Sequence, residues 1–148
     1  MSLKQDIQNS MKVAMKARKT LDLGAIRMVW SAIRKLEIDS KTDANDDEIL
    51  GIIQKEIKSL NETISFLEQD NRTDAINEAK NKIAVLNNFM PEQLNEDAIR
   101  SEVLKVKSEL NASGPQSMGK MMGKLVPLLK GRCDGKVLSK IVREVLSE

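Results

Sequence analysis

From Leu50 through Ile53, Ile57, Leu60 and Ile64 to Leu67, apolar residues recur at steps of three, four, three, four and three. Only a helix returns residues at those steps to one face; a strand would scatter them over both sides. Ile49 widens the stripe and Phe66 flanks it. The run is close to a heptad seam, so it can pack antiparallel on another helix of its own chain or self-associate as a coiled coil. Packing within the chain is the expectation. Asn45 and Glu48 form a capping pair ahead of the run, and Asn71-Arg72-Thr73 breaks it, which predicts a helix from Asp46 to Asp70.

Other segments carry the same period. Ser2 with Gln5 is a second capping pair, opening a helix with Leu3, Ile7, Met11 and Ala14 inward that should reach about Lys19. It is basic and amphipathic, yet Asp6 and the lack of large apolar anchors favour an ordinary packed helix over a membrane-surface segment or a presequence. A helix from near Asp22 turns Ile26, Val29, Trp30, Ile33 and Leu36 inward, with Arg27, Arg34 and Lys35 at its edge or outside. Trp30 is expected to fill core between the two lobes and not to hold a ligand. Residues 39–47 read as an acidic loop. Its Asp43-Ala44-Asn45-Asp46-Asp47 start is no calcium site, because Glu48 stands where the sharp turn needs glycine and Gln54 where the bidentate glutamate belongs.

Thr73 is expected to cap a fourth helix, with Ile76, Ala79, Ile83 and Leu86 inward. Proline disfavours helical backbone in the residue before it, so Met90-Pro91 ends that helix and marks a boundary. Asn95 caps a fifth helix carrying Val103, Val106 and Leu110, with Leu94 and Ile99 placed to staple the cap. After the break at Gly114-Pro115, Ser117 is expected to cap a sixth helix with Met118, Met121, Met122, Leu125 and Leu129 on one face; Pro127 should bend or loosen its last turn. Gly131 is placed to stop that helix and Asp134 to cap a seventh, striped by Val137, Leu138, Ile141, Val142, Val145 and Leu146. The expected fold is all-α and multihelical with two subdomains: a four-helix array over residues 1–90 and a three-helix unit over residues 91–148.

With 2% aromatic residues among 148, the strand-favouring aromatics are almost absent, which agrees with that fold. There is no histidine and no tyrosine, so the usual general base, metal ligand and phenolic acid are missing together. One cysteine, Cys133, excludes an internal disulfide and a multi-cysteine zinc site. Arg132 and a helix N-terminus beside it would lower a thiol pKa, but without a histidine base a small residue tucked into a turn is the expectation. Ser117-Met118-Gly119-Lys120 fits the Ser-x-x-Lys pattern of acyl-enzymes with none of its companion motifs. No catalytic residue, metal or cofactor is expected. No apolar run is long enough to span a membrane, and the first residues lack the apolar core of a signal peptide, so the expectation is a cytoplasmic chain without a membrane partner.

Charge is uneven. Residues 1–38 hold eight Lys or Arg against three acids, residues 39–90 six against eleven, and residues 91–148 ten against eight. Between Gln116 and Arg143 the imbalance is sharpest: Lys120, Lys124, Lys130, Arg132, Lys136, Lys140 and Arg143 against Asp134 alone. Two readings stand, a solvated face or a grip on a polyanion. Gly119 and Gly123, four apart beside Lys120 and Lys124, also have two: close approach of another helix, the commoner case, or of a ligand backbone. No aromatic residue occurs in 91–148, so base stacking is not indicated, and a basic helical face would grip phosphates and read shape, as on folded RNA.

The order of several short elements resembles the YqeY-like proteins over essentially the whole chain, a family related through its C-terminal part to the tail of the B subunit of aspartyl/glutamyl-tRNA amidotransferase. They are Met15-Lys16-Ala17-Arg18, Ile26-Arg27-Met28, Ala32-Ile33, Glu37-Ile38-Asp39, Lys55-Glu56-Ile57-Lys58, Phe89-Met90-Pro91-Glu92-Gln93-Leu94, Met122-Gly123 and Lys130-Gly131-Arg132-Cys133-Asp134-Gly135-Lys136. The resemblance implies two helical subdomains and an appended module that contacts the body of tRNA, while the carbon–nitrogen ligase chemistry with glutamine as amide donor happens elsewhere. It implies an RNA-facing patch at Gly123, Lys130, Gly131, Arg132 and Lys136, to which the charge pattern adds Lys120, Lys124, Lys140 and Arg143. The sequence departs from the pattern where Ser59, Leu60, Asn61 and Thr63 replace basic residues, and where Cys133 replaces alanine. The expected partner is tRNA or another structured RNA. The alternative is an adaptor docking on an amidotransferase or other protein through the methionine-rich helix; an enzyme is the third and weakest reading.

Overall fold

In a computed structural model that describes residues 2–148, the chain forms seven α-helices and one short 3-10 turn, with no strand among the described residues. The helices are α1 (Leu3–Lys16), α2 (Thr20–Ser40), α3 (Asp46–Gln69), α4 (Thr73–Asn87), α5 (Glu96–Leu110), α6 (Met118–Leu128) and α7 (Gly135–Leu146), and the 3-10 turn is Pro115–Ser117. They fall into two compact units, one ending at Met90 and one starting at Pro91, each with its own core.

In the N-terminal unit both capping pairs close as reciprocal hydrogen bonds, Ser2 with Gln5 on α1 and Asn45 with Glu48 on α3. α1 stops at Lys16, earlier than expected, because Arg18 turns into left-handed backbone at φ 56° and lets α2 begin at Thr20. α2 in turn runs on to Ser40, and Lys41 at φ 58° reverses the chain, so the acidic loop is shorter than its composition suggests. Thr73 is the first residue of α4 and not its cap; Arg72 holds the cap position without a side-chain hydrogen bond. Ile7, Val29, Ile33, Ile49, Ile53 and Leu86 are completely or almost completely buried and carry this core. Burying each is worth about 1.5–3 kcal/mol. Trp30 is half-buried and packs on this N-terminal core, at its margin.

α3 and α4, joined by a three-residue turn, pack along one another, which is the intrachain fate expected of the heptad-like stripe. Phe66 lies outside that seam and is 71% exposed.

The C-terminal unit is a three-helix core. α5 contributes Ile99, Val103 and Val106, and α6 contributes Met121 and Leu125. Leu138, Ile141, Val142, Val145 and Leu146 follow from α7. Asn95 Oδ1 accepts from the Ala98 N–H at 2.8 Å to cap α5, and Leu94 and Ile99 both join the core, as the staple requires. Ser117 does not cap α6. Its hydroxyl accepts from the Ser113 N–H at 3.2 Å and donates to the Ser113 carbonyl at 2.9 Å, closing the loop before the helix. α6 survives Pro127 by one residue, and the Leu129 N–H still reaches the Leu125 carbonyl at 2.9 Å. Because proline has no N–H, Pro127 cannot donate the helical bond to the Gly123 carbonyl.

Candidate nucleic-acid interface

The basic turn between α6 and α7 is a built structure. Gly131 has φ 78°, a conformation that glycine adopts without steric cost, and it reverses the chain two residues after α6 loses its helical geometry. The reversed backbone is then tied down from outside. Gln93 Nε2 donates to the Gly131 carbonyl at 2.6 Å, and the Leu94 N–H donates to the Arg132 carbonyl at 2.9 Å. Asp134 Oδ1 accepts from the Lys136 N–H at 2.9 Å and caps α7. At the other end of α7, Lys107 Nζ donates to the Val145 carbonyl at 3.1 Å and Arg100 pairs with Glu148. A cation against those last carbonyls complements the helix dipole.

Each predicted residue then has a definite place. Lys120, Gly123 and Lys124 are exposed on α6, and Lys130 is exposed in the turn. Lys136, Lys140 and Arg143 are exposed on α7, opposite its buried stripe. Arg132 is half-buried, and Gly131 is buried, so its part in any patch is to shape the backbone. Lys124 is the one member of the set with an ion-pair partner among the described residues, Glu109 on α5 at 2.5 Å. Its hydrogen bond and its charge, helped by Lys105, hold the Glu109 carboxyl below the ordinary range against a small cost of burial. Among the described residues, Lys120, Lys130, Arg132, Lys136, Lys140 and Arg143 make no ion pair or hydrogen bond through their side chains.

Three expectations change at this surface. A Cβ built on Gly119 or Gly123 meets no described atom within 4 Å, so no helix of this unit packs closely against the glycine pair. Met121 is fully buried and Met118 and Met122 pack against the core, so the methionine face invoked for an adaptor is turned inward. What α6 shows to solvent is Gly119, Lys120, Gly123, Lys124, Val126, Pro127 and Leu128. Cys133 is buried in the turn; burial first, and then Asp134, push its thiol up, and Arg132 only partly offsets them. Proximity to Arg132 fails to lower it, because desolvation of the thiolate, together with Asp134, outweighs that cation.

Sequence reasoning missed Gln93 and Lys107 as supports of this region, since neither has a local pattern. It also missed Glu37 in the N-terminal unit, which is 7% exposed and continues the four-residue stripe of Ala25, Val29 and Ile33. Lys4 Nζ donates to its Oε2 at 2.7 Å, the Ala44 N–H donates to the same oxygen at 2.9 Å, and Arg34 Nη1 donates to Oε1 at 3.1 Å. These bonds, Lys4 foremost, hold its carboxyl below the ordinary value near 4.5 although burial pulls the other way. Among the described residues no group of three or more histidine, cysteine or acidic side chains is gathered as a metal site. Among the described residues no helix is long and apolar enough to cross a membrane.

These features define an all-helical protein of two compact units, the second bearing unpaired cations around a braced turn. The chain belongs to the YqeY-like family, whose model, described as Yqey-like protein, matches residues 4–146. It is similar to altered inheritance of mitochondria protein 41, mitochondrial, of Pyrenophora tritici-repentis (strain Pt-1C-BFP), with 28% identity over 143 residues, covering 95% of this chain and 78% of that one. The protein of the same name from Kluyveromyces lactis is 30% identical over 135 residues, covering 85% of this chain and 70% of its own length.

Proposed function

We propose that the chain is an accessory module that binds folded RNA, tRNA first among candidates, through the C-terminal unit and performs no bond chemistry itself. The observation that carries this reading is the set of six cationic side chains, at positions 120, 130, 132, 136, 140 and 143, that form no ion pair among the described residues. Such cations release counterions when they meet phosphate, which is the main source of non-specific RNA affinity. The unit has no aromatic residue to stack on bases, so the contact would follow backbone shape. The resemblance read from the sequence elements would imply the same class of partner as the amidotransferase tail, with the glutamine-dependent carbon–nitrogen ligase step belonging to that other enzyme. The compartment in this reading is the cytoplasm; the two relatives are named mitochondrial, so fractionation of the tagged chain is a direct check.

Fluorescence anisotropy with labelled tRNA over a salt series tests the proposal. Engagement of all six cations would cost about a thousandfold in affinity between 50 and 200 mM salt. The exposed triple variant Lys130→Glu/Lys136→Glu/Lys140→Glu should abolish binding while circular dichroism stays unchanged. Absence of binding at low salt would overturn the reading and leave a protein partner, an amidotransferase included, as the one to seek.

A further inference from the structure

In the N-terminal unit α1 and α4 both pack on α2, yet no Cα of α1 comes within 8 Å of one of α4. An open groove of about 580 Å³ lies between them, lined by residues of this unit. That volume is in the range of about 300–1,000 Å³ usual for binding pockets. Leu3, Asp6 and Val13 recur by three and seven along one wall, so they share a face of α1. Val85 and Phe89 stand on the opposite wall, and Ile26 and Asp22 come from α2 beneath. Val13 is 66% exposed, and Leu3, Val85 and Phe89 are only half-buried, so the walls offer apolar surface that no described residue of the unit covers.

Charge selects the occupant. Neither Asp6 nor Asp22 makes a side-chain hydrogen bond or ion pair among the described residues, and Lys19 on the rim offsets only one of them. Two carboxylates along apolar walls match a helix that presents leucine-like side chains on one face and a lysine or arginine at its edge. A phosphate-bearing ligand would meet those carboxylates unfavourably, so this groove is separate in chemistry from the basic C-terminal face. We propose that the groove between α1 and α4 docks one basic amphipathic helix of a partner protein.

The test uses the full chain and a fluorescein-labelled helical peptide of leucine, alanine and lysine, with leucine at i, i+3, i+4 and i+7. A counterpart with glutamate in place of lysine is the control. The lysine peptide should saturate and bind at least about tenfold tighter than the glutamate one, the size of one desolvated charge pair. Asp6→Lys/Asp22→Lys should reverse that preference, and Val13→Glu, at an exposed site where folding is not at risk, should weaken the lysine peptide by a similar factor. Methyl resonances of Leu3, Ile26 and Val85 should shift on titration while those of Leu125 and Val142 stay still. Equal affinity for both peptides, an unchanged preference in the charge-reversed variant, or shifts confined to the C-terminal unit would overturn the proposal. So would a concentration-dependent dimer that Val13→Glu abolishes, since a second copy would then own the groove.

Discussion

Gln93 Nε2 lies 2.6 Å from the Gly131 carbonyl oxygen, and this bond fastens the segment after Pro91 to the basic turn 38 residues later. The Leu94 N–H adds a second tie to the adjoining Arg132 carbonyl. Together they make the turn a rigid platform for Lys130 and Lys136. Gln93→Ala should lower stability by about 1 kcal/mol, the net value of one such hydrogen bond. Urea denaturation followed by circular dichroism would read it, and a change below the scatter of the method would show that the bond adds nothing.

Gly131→Ala addresses the turn itself. At φ 78° an alanine carries a left-handed penalty of about 1–2 kcal/mol. The expected result is a lower midpoint together with weaker RNA binding, as the lysines on either side lose their fixed spacing. The cationic side chains remain, so the salt slope should change less than the affinity does.

Gly119→Ala and Gly123→Ala should act in the opposite sense on stability. Both glycines are exposed in a helix with open space where a Cβ would go. Each replacement should therefore stabilise the chain by about 0.5–1 kcal/mol through backbone entropy. If affinity for tRNA falls while the midpoint rises, the glycines admit a ligand backbone; if affinity holds, they do not.

Glu37 predicts an acid-dependent stability. Its carboxyl titrates below the ordinary value near 4.5 in the folded chain, so the folded state binds the proton less readily than the unfolded one. The contribution is therefore complete above that value and is lost as pH falls through the lower folded one. Glu37→Gln should reduce the midpoint at neutral pH and flatten the fall in stability on acidification. Glu109, held down by Lys124, should supply a second and separable part of the same fall.

Cys133 should be slow to modify in the native protein. Its thiol is 9% exposed and pushed up by burial and by Asp134, so little thiolate is present at neutral pH. Reaction with a disulfide reagent should speed up by more than about tenfold in denaturant, and a native rate equal to the unfolded one would contradict the burial.

The helices and their buried faces were legible in the chain because both are local properties. The recurrence from Leu50 to Leu67, the reciprocal caps at Ser2 and Asn45, and the stripe from Val137 to Leu146 all act within a few residues. The cations of α6 and α7, Lys120, Lys124, Lys136, Lys140 and Arg143, were legible for the same reason, since placing them opposite a buried stripe needs only the helical period. Helix ends were less so. Left-handed backbone at Arg18 and Lys41 depends on how neighbouring helices pack, and it moved α1 and α2 by several residues. Tertiary structure alone decided that Glu37 is buried, because Lys4 lies 33 residues away, and that Gln93 and Lys107 brace elements each 38 residues distant. It alone left the glycines of α6 open and kept α1 apart from α4. A period assigns a residue to a face; which faces meet, and which remain uncovered, follows from packing contacts that no local pattern encodes.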